Sequence, residues 1–214
     1  MNNEVNLNPG IGERAVIMGM TGSGKTVLAE QLLKHRRFVV VHDFKHSPSI
    51  SKWNGYKQYT KLSDLIRAKE EKLIYTPDHT EIENEEIINA FFRWIFERRN
   101  TTLYVDEVYG VCPNGRAPFY YNSCIVQGRE LGISVFSSTQ RPKRIPQTVL
   151  SESDNYYVFR LLLPDDRDKV KGILPFDEKL LTSIKTHRFW YGRANGRIIG
   201  PCYLDLNSGK LINK

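Results

Sequence analysis

Gly19-Met20-Thr21-Gly22-Ser23-Gly24-Lys25-Thr26 spells the pattern G-x-x-x-x-G-K-[ST] in full, and that spacing suits phosphate binding. Its glycines let the backbone curl until successive N–H groups point inward at phosphate oxygens. A following helix N-terminus adds free N–H groups and partial positive charge. In such a loop Lys25 reaches the β- and γ-phosphates of a nucleotide and the Thr26 hydroxyl ligates Mg²⁺. At average residue usage the pattern arises by chance in about one chain in a hundred of this length. A Gly-rich turn that merely opens a helix is the alternative. A predicted strand before the loop and a predicted helix after it favour the phosphate cradle.

A second cluster lies in Leu103-Tyr104-Val105-Asp106-Glu107, an apolar strand ending in two carboxylates. Asp106 is placed to hold the Mg²⁺ shell, directly or through water. Glu107 is then free to polarise a water for in-line attack on the γ-phosphate. A solvated acidic turn is the competing reading, and a phosphate loop expected on a neighbouring strand weighs against it. Ser134–Thr139 leads into Gln140, which can hydrogen-bond the γ-phosphate or the attacking water; a Gln satisfying loop backbone is the alternative. A glutamate beside the metal aspartate suits water better than a bound acceptor. A small-molecule kinase would add an acceptor pocket and an arginine-bearing lid, of which there is no clear sign. A GTPase would add an N-K-x-D element, and the nearest lookalike, Asn195-Gly196, reads as a turn. Hydrolysis of ATP, with Mg²⁺, is the expected chemistry.

Positioning these residues requires strands that end together. Ala15–Met18, Phe38–Val41, Leu73–Tyr75, Thr102–Val105, Ile133–Ser137 and Tyr156–Leu162 read as short buried strands. Helical spacing of apolar residues predicts helices over Lys25–His35, Leu62–Lys69, Ile82–Arg99 and about Tyr120–Glu130, with further helices near Asp166–Ile173 and Asp177–Ile184. Ser47–Tyr59 is rich in turn formers and reads as irregular, and Pro113–Pro118 as loop. Arg188–Tyr191 and Arg197–Leu206 read as an antiparallel hairpin, with a type I′ turn at Asn195-Gly196. Strands alternating with amphipathic helices imply an α/β fold: a mostly parallel sheet sandwiched by helices, with ligands beyond the strands' carboxyl ends.

The chain has 214 residues, the size of one domain. The reading is a flexible segment over 1–11, a core over 12–162, and C-terminal helices and hairpin over 163–214. No apolar run reaches the roughly 18 residues of a membrane helix, and Met1–Gly10 lacks the regions of a signal peptide. A soluble, intracellular protein without membrane insertion is expected. Cys112, Cys124 and Cys202 have no metal-like spacing and suit a reducing compartment. His42 and His46 flank Asp43 without further ligands, so no metal site is expected there. The formal net charge of +7 permits a polyanionic partner without requiring one.

Gly128-Arg129-Glu130-Leu131-Gly132-Ile133-Ser134 and Ser138-Thr139-Gln140-Arg141-Pro142, with the two clusters above, resemble the FtsK–HerA superfamily of DNA-pumping ATPases. The resemblance covers roughly residues 12–162, and the small size is closest to the viral genome-packaging branch. It implies a RecA/ASCE-like fold and a homo-oligomeric ring, usually a hexamer, with ATP between subunits. The ring would act on double-stranded DNA, at a capsid vertex with its proteins. The resemblance further implies an arginine reaching into the neighbour's site: Arg129 matches that place, Arg141 competes for it, and a surface arginine facing a helix end is the plain alternative for Arg129.

A translocating ring grips phosphates through basic loops, and Arg116, Arg141, Lys143 and Arg144 are the candidates, against a plain solvated surface. Tyr120, Tyr121, Phe189, Trp190 and Tyr191 could stack bases, but packing is the expected role. Two other functions are compatible with the motifs: a phage assembly or secretion ATPase acting on protein, resembling zonular-occludens-toxin-like proteins, and a small-molecule kinase.

Overall fold

The computed structural model describes residues 3–4 and 6–213. Eleven strands form one sheet: β1 (Asn3–Glu4), β2 (Arg14–Met18), β3 (Val39–Asp43), β4 (Lys57–Tyr59), β5 (Lys72–Tyr75), β6 (Thr102–Asp106), β7 (Ser134–Thr139), β8 (Asn155–Val158), β9 (Arg188–Arg193), β10 (Ile198–Asp205) and β11 (Lys210–Asn213). Their order is β1-β11-β10-β9-β8-β2-β7-β6-β3-β5-β4. From β8 to β4 every pairing is parallel, and from β8 to β1 every pairing is antiparallel. All five residues of β2, β3 and β6 are buried, as strands covered on both faces must be.

Successive residues feed opposite layers. Val16 and Met18 of β2 join one core, while Ala15 and Ile17 join the other. The second layer holds α1 (Lys25–Leu33). The first holds α2 (Leu62–Leu65), α4 (Glu85–Arg98), α5 (Val108–Val111), α6 (Phe119–Gln127), α7 (Gln147–Ser151), α8 (Pro164–Lys171) and α9 (Glu178–Ser183); α3 (His79–Ile82) leads into α4. This is the helix-sandwiched, mostly parallel sheet that the alternation of elements implied.

Several boundaries differ from expectation, each for a local reason. Ile82–Arg99 divides into α3 and α4 because Asn84, in extended conformation, accepts the Glu86 and Ile87 N–H groups and starts a new helix. Within α4, Ile88, Phe91, Phe92 and Ile95 form the buried stripe. The Tyr120–Glu130 stretch is α6 followed by a 3₁₀ turn at Gly128–Leu131. Leu62–Lys69 keeps its helix only to Leu65, and Lys57–Tyr59, expected to be irregular, pairs with β5 as the edge strand.

The C-terminal hairpin gains a third strand, β11. Its first turn is not type I′: Gly196 N–H donates to the Arg193 carbonyl at 2.9 Å and Gly196 has φ +84°, while Asn195 does not adopt a positive φ. A three-residue loop ending in a left-handed glycine closes the hairpin instead. Within residues 6–11, Leu7 and Pro9 are buried, and the Leu7 carbonyl accepts the Tyr157 hydroxyl.

His42 is fully buried, 5.1 Å from Phe91 and 5.5 Å from Tyr75 between ring centroids, and neither ring nitrogen has a hydrogen-bond partner. Burial pushes its pKa down to about 3. Below the ordinary value of about 6.5 the unfolded chain binds a proton that the folded chain refuses, so stability falls as pH falls. His42→Leu should therefore abolish a loss of about 2 kcal/mol between pH 6.5 and 5, measured by urea unfolding. Parallel pH profiles for wild type and variant would refute this.

Candidate active site

Strand β2 delivers the chain to the phosphate loop, and α1 carries it away. Gly19 and Gly24 are required by geometry. Gly24 has φ +106°, and a Cβ at Gly19 would stand 2.5 Å from the Phe159 Cβ. The loop is tied on both flanks: Gly19 N–H donates to Thr139 O at 3.2 Å and Met20 N–H to Arg160 O at 3.3 Å. The first-turn N–H groups of α1, including those of Lys25 and Thr26, have no acceptor within the helix. Thr26 is half-buried there.

Lys25 is buried, and its Nζ donates to the carbonyls of Gly19 (2.9 Å) and Met20 (3.0 Å). Burial pushes its pKa down to about 8, although Glu107 and Asp106 are close enough to oppose that shift. The acidic pair and the loop therefore share one electrostatic site. They are not on adjacent strands as expected, since β7 lies between β2 and β6. That interposition brings in Gln140, which follows β7: its side chain accepts the Thr21 hydroxyl at 2.8 Å, and its N–H reaches Glu107 at 3.4 Å.

Asp106 is buried and accepts the Tyr104 hydroxyl at 2.8 Å. Burial raises its pKa, with nearby Glu107 adding to the effect. No ammonium or guanidinium among the described residues forms an ion pair with it. Such a carboxylate fits a divalent cation, whose charge would offset its desolvation. Glu107 adopts φ +67°, a left-handed conformation rare for its residue type. Its carboxylate accepts the Thr139 hydroxyl at 3.1 Å and pairs with Lys45 at 2.9 Å.

Lys45 and Asp43 were not recognised in the sequence as site residues. Asp43 ends β3 in register with Asp106, and its buried carboxylate takes the Ser47 N–H at 2.8 Å. Burial raises its pKa to about 6. The turn it anchors carries Lys45 to Glu107. The available signal was an Asp-x-Lys at the carboxyl end of a predicted strand.

The arginines stand apart from this cluster. Arg129 pairs with Asp154, whose carboxylate also accepts the N–H of Arg14, the first residue of β2. It thus lies at the amino end of the strands, opposite the phosphate loop of its own chain, with its side chain half exposed. Arg141 follows Gln140 but turns to the buried Asp166 at 2.8 Å. Arg116, Lys143 and Arg144 are exposed. The Arg144 guanidinium lies 5.4 Å from the centroid of Tyr109, and a Cβ at Gly115 would face the Arg144 carbonyl at 3.8 Å. The Pro113–Gly115 and Pro142–Arg144 turns therefore adjoin, beside the short helix that follows Glu107. Tyr121, Phe189 and Tyr191 are buried, and Tyr120 and Trp190 half-buried, in the packing expected of them.

No family model matches the chain. It is 30% identical over 175 residues to the DNA packaging ATPase P9 of Enterobacteria phage PRD1, covering 79% of this chain and 74% of that protein. Its fold is similar to the genome packaging NTPase B204 of Sulfolobus turreted icosahedral virus 2 in complex with AMP. That likeness has a TM-score of 0.71 at 18% identity, over 91% of this chain and 97% of that one. The same NTPase in complex with AMPPCP gives 0.69 at 21% identity, over 91% and 97%. EccC (ATPases 2 and 3) of Thermomonospora curvata, in complex with a signal sequence peptide, gives 0.57 at 13% identity, over 94% of this chain and 36% of that one. The structural likenesses show a common fold.

Nucleotide affinity should depend on the Lys25 proton. Phosphate oxygens favour the ammonium, whereas the free site begins to lose it near pH 8. Above that pH, binding must take up a proton, so affinity for a non-hydrolysable ATP analogue should fall by up to about tenfold per pH unit. Affinity constant from pH 7 to 9.5 by calorimetry would refute it.

Proposed function

The chain belongs to the family of DNA-packaging ATPases that includes the PRD1 protein, and from that premise we propose that it is a ring-forming motor that drives double-stranded DNA into a viral capsid. It is a P-loop ATPase. One observation carries the reading of its site: Lys25, Asp106, Glu107 and Gln140 converge at the carboxyl ends of the parallel strands, around the Gly19–Thr26 loop.

In this reading the loop N–H groups from Gly19 through Thr26, including those of Met20, Thr21, Gly22, Ser23 and Gly24, hold the phosphates of ATP, and Lys25 neutralises their charge. Thr26 and Asp106 would hold Mg²⁺, which when bound supplies positive charge to the phosphate oxygens. Glu107 orients the attacking water and accepts its proton, and Gln140 senses the γ-phosphate from the adjacent strand. Arg129 cannot serve its own loop from the opposite end of the sheet, so it acts on the neighbour's nucleotide in a ring, most simply a hexamer. There a guanidinium offsets charge developing in the transition state. Both arginines are ion-paired, but the partner of Arg141, Asp166, is buried, whereas Arg129 is half exposed and its partner Asp154 is less buried, which makes Arg141 the weaker candidate for that role.

Arg116, Lys143 and Arg144, with Arg141 behind them, form the DNA-facing surface, gripping phosphates without regard to sequence. Tyr109 beneath Arg144 lies two residues from Glu107 and links that surface to the catalytic strand. The motor works as a soluble ring at a capsid vertex, against vertex proteins. No helix among the described residues is long and apolar enough to cross a membrane.

Double-stranded DNA should stimulate ATP turnover at low salt, and the effect should fade as salt rises. Turnover unchanged by saturating DNA, with no DNA binding at low salt, would refute the motor. Glu107→Gln should retain ATP binding and lose turnover by about 10²-fold or more; near wild-type turnover would remove Glu107 as water activator. Arg129→Ala should be inactive alone and regain activity when mixed with Glu107→Gln protein. A mixture that forms joint rings, seen by native mass spectrometry, yet stays inactive would refute the shared site.

A further inference from the structure

Asp106 and Glu107 are neighbours in sequence, yet the fold compensates them differently. Glu107 pairs with the Lys45 ammonium at 2.9 Å. Asp106 takes a neutral donor instead, the Tyr104 hydroxyl, at 2.8 Å on Oδ1. No described residue donates a hydrogen bond to its other oxygen, Oδ2. A cation cancels the charge of a carboxylate. A phenol fixes the carboxylate's orientation and leaves its charge available to a dication.

The tether follows from strand geometry and is braced from the side. Residues two apart on a strand point to one face, so Tyr104 and Asp106 share the face of β6 toward the α1 layer. Tyr104 is fully buried there with Val41 and Phe136, its register partners on β3 and β7. Trp53 stacks on its ring, 5.9 Å between centroids with 25° between planes. Trp53 follows the 3₁₀ turn Ile50–Lys52 and donates its N–H to Ile50 O at 3.0 Å. That segment is itself anchored, because Asp43 accepts the Ser47 N–H.

Packing alone does not call for a phenol. A buried position on a parallel strand is ordinarily filled by Val, Ile or Leu, which would serve the core equally well. The hydroxyl adds a donor, and it meets the carboxylate that pairs with no cation among the described residues. Groups that hold a metal ligand from behind set its orientation and raise metal affinity. We propose that Tyr104 is the positioning residue of the metal site, its hydroxyl holding Asp106 Oδ1 so that Oδ2 stands free for the Mg²⁺ of the nucleotide. This rests on the reading of Gly19–Thr26 as the phosphate site and of Asp106 as the metal carboxylate.

The test separates metal binding from nucleotide binding on the full chain. A non-hydrolysable ATP analogue is titrated in EDTA by calorimetry, and Mn²⁺ uptake by the protein–analogue complex is followed by electron paramagnetic resonance. Tyr104→Phe removes one oxygen and no carbon, so the ring keeps its place in the core. It should weaken Mn²⁺ binding by about 10- to 100-fold and leave metal-free analogue affinity within about twofold of wild type. Added to Asp106→Ala it should change Mn²⁺ binding no further, since the hydroxyl acts only through that carboxylate. Unchanged Mn²⁺ affinity in Tyr104→Phe would overturn the proposal, as would an equal loss of metal-free analogue affinity or a further loss beyond Asp106→Ala. Wild type taking up Mn²⁺ no more tightly than Asp106→Ala would overturn the metal carboxylate. Wild type binding no analogue in either condition would overturn the phosphate site, and the tether with it.

Discussion

Desolvated charge organises this molecule. Lys25, Asp106 and Glu107 are all buried at the ends of parallel strands, and Lys25 is held by carbonyls of its own loop. Placing these groups in one low-dielectric site costs free energy that other parts of the fold must offset. The two-layer core does so, because the central parallel strands are covered on both faces and their ends are held against their neighbours. The partners that make burial tolerable are Tyr104 of the same strand for Asp106, and Thr139 of β7 and Lys45 of the turn after β3 for Glu107.

The contiguous parts of this arrangement were legible in the sequence. A phosphate loop is a local object, whose glycines and lysine sit within eight residues, and Asp106-Glu107 announces itself by ending an apolar run. Strand order is non-local and was not legible: β7 separates β2 from β6, against the expectation of neighbours. For the same reason Lys45 passed unnoticed and Asp43 was set aside, since their relevance arises only when β3 is laid beside β6.

Local competition explains the remaining differences. Asn84 interrupts a run that periodicity alone joins, because its side chain caps the next helix better than its backbone continues the last. The strand expected to run to Leu162 ends at Val158, beyond which Phe159 and Arg160 follow the irregular path of the phosphate loop. Pro201 lies in β10 where the register with β9 shifts, a place where a residue lacking an N–H does least harm.

The backbone of Glu107 sets folding and chemistry against each other at a single position. Its left-handed geometry costs roughly 1 kcal/mol that glycine, or in part asparagine, would relieve. Either replacement would give a sturdier polypeptide without a carboxylate at that place. Selection for thermal robustness alone would therefore erode this site first, and only selection on turnover can retain the acid.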